Sequence, residues 1–223
     1  MMAWVSRNSP YGRFRNETIA QPLYASAKKH QNLMEIQFIE DIEFEKKNFS
    51  KDKLDKGDYE SCTFSNCNFY NSDLSKVRFI ECQFINCNLS LVNLYLTEIQ
   101  DATFKDCKML GLRFDKCSDF AFSMKVDNCQ LNSSSFYKKK LSKTVFSKSK
   151  LQEVDFTECN LNSSIFDNCD LLNAVFKNTN LENTDLRNSF NFIIDPEYNK
   201  IKGAKFSLES VEGLLTKYHI KIE

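Results

Sequence analysis

Apolar residues recur at every fifth position over most of this chain, and that regularity leaves very few folds open. Stepping by five from Phe44 to Phe114 meets an apolar side chain at all 15 positions, and stepping from Val126 to Leu186 meets one at another 13 of 13. Only 42% of the residues are hydrophobic, so 28 successes in 28 trials exclude chance. An α-helix wants apolar residues every 3.6 positions and a strand wants every second one. A step of five would turn a helix by about 500° and scatter the side chains around its axis. The chain must instead bend at each repeat, so that every fifth side chain reaches a common interior.

The position two before most centres is small: Cys62, Cys67, Val77, Cys82, Cys87, Thr97, Ala102 and Cys107 in the first block, then Cys129, Ser134, Thr144, Ser149, Val154, Cys159, Ser164 and Cys169 in the second. A large and a small inward residue two apart fit the alternation of an extended segment. The flanking positions are mostly Asn, Asp, Ser, Lys or Glu, which suit turns and solvent. A longer period is also present. Phe44, Phe64, Phe84 and Phe104 lie twenty apart, as do Phe136, Phe156 and Phe176. Twenty residues are four repeats, so four sides close one coil. Phe44 to Leu186 then makes roughly seven coils, stacked at about 4.8 Å into an all-β tube on the order of 34 Å long.

The triplets Ser72-Asp73-Leu74, Cys87-Asn88-Leu89, Val154-Asp155-Phe156 and Cys169-Asp170-Leu171 resemble the pentapeptide-repeat family, over about two-thirds of the chain. That resemblance implies a right-handed quadrilateral β-helix. The handedness rests on the resemblance and not on the spacing.

The repeat occupies residues 34–190, between a non-repetitive N-terminal extension, 1–33, and a C-terminal cap, 191–223. Residues 1–33 carry five Lys or Arg against Glu17 and are expected to be a loosely packed extension. Phe114 to Val126 is 12 residues instead of 10, which places a phase break at 118–125, after Cys117. Two readings stand for this segment. It is a loop presenting Asp119, Phe120 and Phe122 to a protein partner, or a two-residue bulge whose phenylalanines still pack inward. Past Pro196, Ser207 is placed to cap a helix near 208–217 with Leu208, Val211, Leu214 and Leu215 on one face. Tyr218 to Ile222 alternates like an edge strand. A solenoid end needs a cap. The helix either simply closes the last coil or also forms a homodimer contact, as the resemblance implies.

Chemistry is sparse. Nine cysteines sit mostly at small inward positions on different sides, so they do not converge as a tetrahedral zinc site requires. They behave as small buried hydrophobes, favouring a reducing, cytoplasmic location. His30 and His219 lie outside the repeat, and no phosphate-binding glycine loop or paired-histidine metal motif occurs. The expectation is a non-enzymatic protein with no cofactor and no metal. No apolar run is long enough to cross a membrane. Lys+Arg 30 against Asp+Glu 30 gives no net charge, so direct nucleic-acid binding is not expected. The charge is unevenly spread: residues 34–124 hold 16 acids and 11 bases, residues 125–190 hold 8 and 9. Lys138, Lys139, Lys140, Lys143, Lys148 and Lys150 form a basic cluster, read as a solvated surface. Two functions are compatible with this chain. One is a binding scaffold for an unidentified protein. The other, implied by resemblance to the quinolone-resistance members, is a DNA mimic that binds a type II topoisomerase such as gyrase and modulates it or protects it from quinolones.

Overall fold

The computed structural model describes residues 37–221; the 1–33 extension lies outside them. Eleven short strands follow in order: β1 (Gln37–Glu40), β2 (Glu43–Glu45), β3 (Gly57–Glu60), β4 (Thr63–Ser65), β5 (Arg78–Ile80), β6 (Gln83–Ile85), β7 (Glu98–Gln100), β8 (Ala102–Lys105), β9 (Met124–Asp127), β10 (Val145–Ser147) and β11 (Ile165–Asp167). They stack into two sheets, β1-β3-β5-β7 and β2-β4-β6-β8-β9-β10-β11. Every pairing is parallel, with Phe44 beside Phe64, Phe64 beside Phe84 and Phe84 beside Phe104. Two further faces are held by single parallel bridges, as in the rows Asn48–Asn68–Asn88–Lys108 and Ser135–Asp155–Val175. The chain is therefore a four-sided parallel β-solenoid.

The corners explain why five residues suffice for a side. Two positions past most centres the backbone turns through the left-handed region, as at Asn66 (φ 56), Asn86 (φ 51) and Leu96 (φ 56). That region costs an ordinary residue roughly 1–2 kcal/mol, and Asn tolerates it best. Among the described residues no Val, Ile or Thr occupies such a corner. The polar flanks of the repeat are thus a backbone requirement as well as a solvent-facing one.

Of the 28 repeat centres, 27 are buried; Phe44, in the first coil, is half-buried. Successive coils place like rings face to face: Phe44–Phe64 at 4.7 Å, Phe64–Phe84 at 4.9 Å and Phe84–Phe104 at 4.9 Å between centroids. Rings on adjacent sides of one coil meet edge to face, as Phe64 and Phe69 do at 5.5 Å and 69°. Both arrangements suit the ring quadrupole.

The small inward positions carry a second property that size alone does not reveal. Most are hydrogen-bond donors, and many of these reach the backbone carbonyl of a centre in the coil beneath, 23 residues earlier or 25 across the phase break. Thr97 Oγ1 donates to Leu74 O (2.8 Å), Ser164 Oγ to Leu141 O (2.6 Å), Thr184 Oγ1 to Leu161 O (2.8 Å) and Cys87 Sγ to Phe64 O (3.2 Å). A Ser, Thr or Cys here fills the slot and stitches coil to coil.

At the C-terminal end the structure departs from expectation. Bridging continues past residue 190, through Asn180–Lys200 and Asp185–Lys205. The segment after it forms two 3-10 helices, Leu208–Leu214 and Thr216–Tyr218, and no α-helix. Ser207 makes no backbone cap; its Oγ bonds Ser210 Oγ at 2.9 Å. The edge strand read at Tyr218 to Ile222 is absent over Tyr218–Lys221, because Tyr218 closes the second 3-10 turn and His219 is left-handed (φ 51). Docking decides this geometry. Ile194 N donates to Gly213 O at 3.0 Å, and a Cβ at Gly213 would collide with the Phe192 carbonyl oxygen. Lys217 then ties the cap to the preceding turn through Asp195 (2.7 Å) and Glu197 (2.8 Å).

Candidate functional site

The phase break is confined to one side of one coil. Phe104 pairs with Val126 and Phe114 stacks on Phe136 at 4.5 Å, both 22 residues apart, so the coil absorbs two residues and the ladder resumes. The extra residues lie on the face of β1-β3-β5-β7, whose strand stacking ends at β7. Ser118 N donates to Thr97 O (2.9 Å) and Ser123 N to Ile99 O (3.0 Å), which frames a bulge between them. Asp101 N donates to Ser123 Oγ (2.7 Å), and that hydroxyl donates in turn to Asp101 Oδ1 (3.0 Å).

The bulge separates its aromatic residues. Phe122 takes the inward place, packing against the core with its ring edge-on to Phe114 at 6.3 Å. Phe120 points outward and is 68% exposed. The inward packing of the second reading thus holds for Phe122 and not for Phe120.

Lys139 clamps the bulge from the coil above. In the basic cluster it reads as a solvated lysine, but only 2% of it is exposed. It occupies a small inward position, two before Leu141 and one coil above Cys117. Where its column neighbours donate through Thr or Cys, the Lys139 ammonium donates to Cys117 O (2.6 Å) and to Asp119 Oδ1 (2.6 Å), and lies 5.0 Å from the centre of the Phe122 ring. Asp119 itself is 79% exposed, so this ion pair is buried at one end only. Burial pushes the Cys117 thiol up to about 12, against the opposing pull of the Lys139 charge. A lysine in a slot otherwise filled by small side chains, one coil above a slip, was the available sequence signal.

The remaining lysines of the cluster scatter across the surface. Lys138 pairs with Glu158 at 3.5 Å and lies over the Tyr137 ring, whereas Lys148 and Lys150 line a separate cleft with Lys108. Lys143 lines a cleft of about 340 Å³ beside the bulge, together with Asp101, Phe122, Ser123 and Lys125.

The bulge also marks a change of charge along its face. Below it, β1, β3, β5, β7 and the residue after each carry Glu40, Asp41, Asp58, Glu60, Glu81, Glu98 and Asp101, with one cation, Arg78. Arg78 bridges Asp58 (2.6 Å) and Glu98 (2.9 Å), its neighbours in the strand register. Above the bulge the same side bears Lys140 and Lys143, then Glu182, and further along Lys200 and Lys202.

The four residues read as a dimer contact do not behave alike. With three residues per turn, Leu208, Val211 and Leu214 align on one row of the 3-10 helix. Leu208 is 89% exposed while Leu214 packs against the core. Val211 and Leu215 are half-buried, and Leu215 borders an open cleft with Phe190, Ile193 and Ile220.

All nine cysteines are free and buried. Among the described residues no group of three or more His, Cys, Asp or Glu is arranged to hold a metal ion, and no helix is long and apolar enough to cross a membrane.

A model of the pentapeptide repeat region matches residues 119–190, and a model of eight pentapeptide repeats matches residues 60–90. No curated protein sequence matches the chain. Similar solved structures include a trypsin-treated form of QnrB1, a plasmid-mediated fluoroquinolone resistance protein, at 20% identity and a TM-score of 0.47, covering 84% of this chain and 100% of that one. Another is HetL from the cyanobacterium Nostoc sp. strain PCC 7120, a pentapeptide repeat protein involved in heterocyst differentiation regulation, at 13% identity and a TM-score of 0.43, covering 76% of this chain and 85% of that one. The two family matches lie along one continuous five-residue coil, the longer one beginning within the bulge, and residues 60–90 and 119–190 belong to the pentapeptide-repeat family.

Proposed function

We propose that this protein is a non-enzymatic interaction scaffold whose protein contact is the bulge at residues 118–123, with Phe120 as the anchor and Asp119 beside it. The observation that carries this reading is the pairing of a 68% exposed Phe120 with a backbone pinned from inside by Lys139. An exposed aromatic on a rigid support gives up little entropy on binding, which is the usual character of a contact hot spot. The change of charge across the bulge supplies an orientation for the partner. A photo-crosslinking phenylalanine analogue at position 120 tests it, with the same analogue at Tyr198, 63% exposed and outside the bulge, as control. A discrete protein adduct from position 120 alone is expected; adducts from neither position, or equally from both, would end this reading.

The acidic face of β1-β3-β5-β7 favours a second reading, a DNA mimic that engages a type II topoisomerase. A supercoiling assay with purified gyrase, with and without a quinolone, decides it. Neither inhibition nor relief at micromolar protein would remove it. The exposure of Leu208 at the end of the cap row supports a homodimer contact that would centre on that residue. Light scattering should then give a dimer mass that falls to the monomer in Leu208→Glu, and a monomer mass in both rejects it.

A further inference from the structure

A second feature of the surface lies on the corner between the seven-stranded sheet and the next face. A trough there encloses about 370 Å³ and is lined by Lys108, Lys148 and Lys150 together with Asn128, Gln130 and Asp106. Lys108, Gln130 and Lys150 form one row on three successive coils, so the two lysines of that row are set about 10 Å apart along the axis. Lys148 stands at the corner beside them.

Among the described residues no carboxylate is within ion-pair range of these three ammonium groups, whereas Lys138 and Lys139 of the same sequence cluster each have a partner. The nearby acids are engaged elsewhere. Asp106 accepts the Asn128 amide at 2.6 Å. Asp170, next to Lys150 in the row, accepts Gln152 at 2.6 Å and Asn191 at 2.8 Å. The trough therefore presents three cations that make no direct ion pair, with Asp106 on its wall and Asp170 beside Lys150 as the nearby negative charge.

We propose that this trough binds an elongated anion bearing adjacent phosphoryl groups. A single phosphate reaches one or two of the ammonium groups. A condensed chain of phosphates reaches from Lys108 to Lys150 and passes Lys148, with the Gln130 amide donating to the oxygens between. Such a chain comes either as inorganic polyphosphate or as the phosphate tail of a nucleotide, and the chemistry of the trough is common to both.

The test is titration calorimetry on the full chain with inorganic tripolyphosphate at low salt. Saturable binding is expected, weakened about tenfold by each of Lys108→Ala, Lys148→Ala and Lys150→Ala and unchanged by Lys138→Ala. It should fall steeply between about 50 and 200 mM salt, and orthophosphate should bind at least about tenfold more weakly. Adenosine triphosphate in a parallel titration identifies the source: tighter binding than tripolyphosphate points to a nucleotide, equal or weaker binding to the inorganic chain. No saturable binding of tripolyphosphate, orthophosphate binding equally well, or a triple alanine variant binding like wild type would overturn the proposal. The three lysines lie at the surface, so circular dichroism of the variants should match wild type.

Discussion

Replacing Lys139 with Met removes the clamp on the bulge while keeping most of the volume. The ammonium donates to the buried Cys117 carbonyl at 2.6 Å, a charged hydrogen bond worth about 1.5–3 kcal/mol. Its bond to Asp119 adds well under about 1 kcal/mol, because that carboxylate is 79% exposed and solvent screens the pair. Relief from burying the ammonium works in the opposite direction. The net expectation for Lys139→Met is a loss of about 2 kcal/mol. Lys139→Ala also removes three packed methylenes at about 0.8 kcal/mol each, which raises the loss to about 4 kcal/mol. Thermal melts followed by far-UV circular dichroism give the ranking of the two variants. Hydrogen exchange locates the effect: the amides of Ser118 and Ser123 should lose protection, while that of Phe166, two coils above on another side and bonded to Asp185 O, keeps it. A Met variant that melts with or above wild type and leaves both amides protected would show that packing alone holds the bulge.

Phe84 stacks on both Phe64 and Phe104 at 4.9 Å, so Phe84→Ala should cost about 3–5 kcal/mol, against about 0.5 kcal/mol or less for Lys76→Ala at an exposed corner; denaturant midpoints of the two variants check this. Burial holds the Cys82 and Cys159 thiols up near 12 and Cys169 near 11. The unfolded chain therefore releases these protons first, and stability should be constant below about pH 8.5 and decline as pH rises from there toward 12. A melting temperature that stays level from pH 8 to pH 11 would contradict that burial. Gly213→Ala places a methyl against the Phe192 carbonyl, which should undock the cap at a cost of about 1–3 kcal/mol and expose the Ile194 amide to exchange; an unchanged melt and a protected Ile194 would show that the cap shifts to accommodate it.

How much of this was legible in the residues depends on the range of the interaction. The five-residue period and the twenty-residue columns are local regularities, and they carry the four sides, the inward rings of Phe64, Phe84 and Phe104 and the position of the slip. The separate fates of Phe120 and Phe122 were not legible, because they depend on Lys139 in the next coil, a contact across some twenty residues. Reading Lys139 as one more solvated lysine followed from its neighbours in sequence, Lys138 and Lys140, and not from its place two before Leu141. The kind of helix in the cap was not legible for a similar reason. The spacing of Leu208, Val211, Leu214 and Leu215 is compatible with an α-helix, and only the approach of Gly213 to Phe192 selects the tighter 3-10 form. The charge change along one face was hidden because Arg78, between Asp58 and Glu98 in space, is twenty residues from either in sequence.

The column Thr97, Cys117, Lys139, Cys159, Thr179 and Asn199 ties the fold to the proposed contact. Thr97, Cys159, Thr179 and Asn199 each donate to a centre carbonyl 23 residues earlier. The chain leaves the regular coil after Cys117, whose carbonyl accepts from the Lys139 ammonium at 2.6 Å, and a buried carbonyl left without a donor is costly. A lysine at this one slot restores the connection by reach, and its four-carbon stem fills space opened by the insertion. The insertion can then be kept without breaking the ladders above and below, where Phe104 meets Val126 and Phe114 meets Phe136. The regular coil exposes aromatics too, Tyr70 at 48% and Tyr95 at 53%, but Phe120, at 68%, is the most exposed of those between Phe44 and Phe190. It stands on the fault held by Lys139, and this is the physical reason to look for a partner at Phe120 before any regular face of the solenoid.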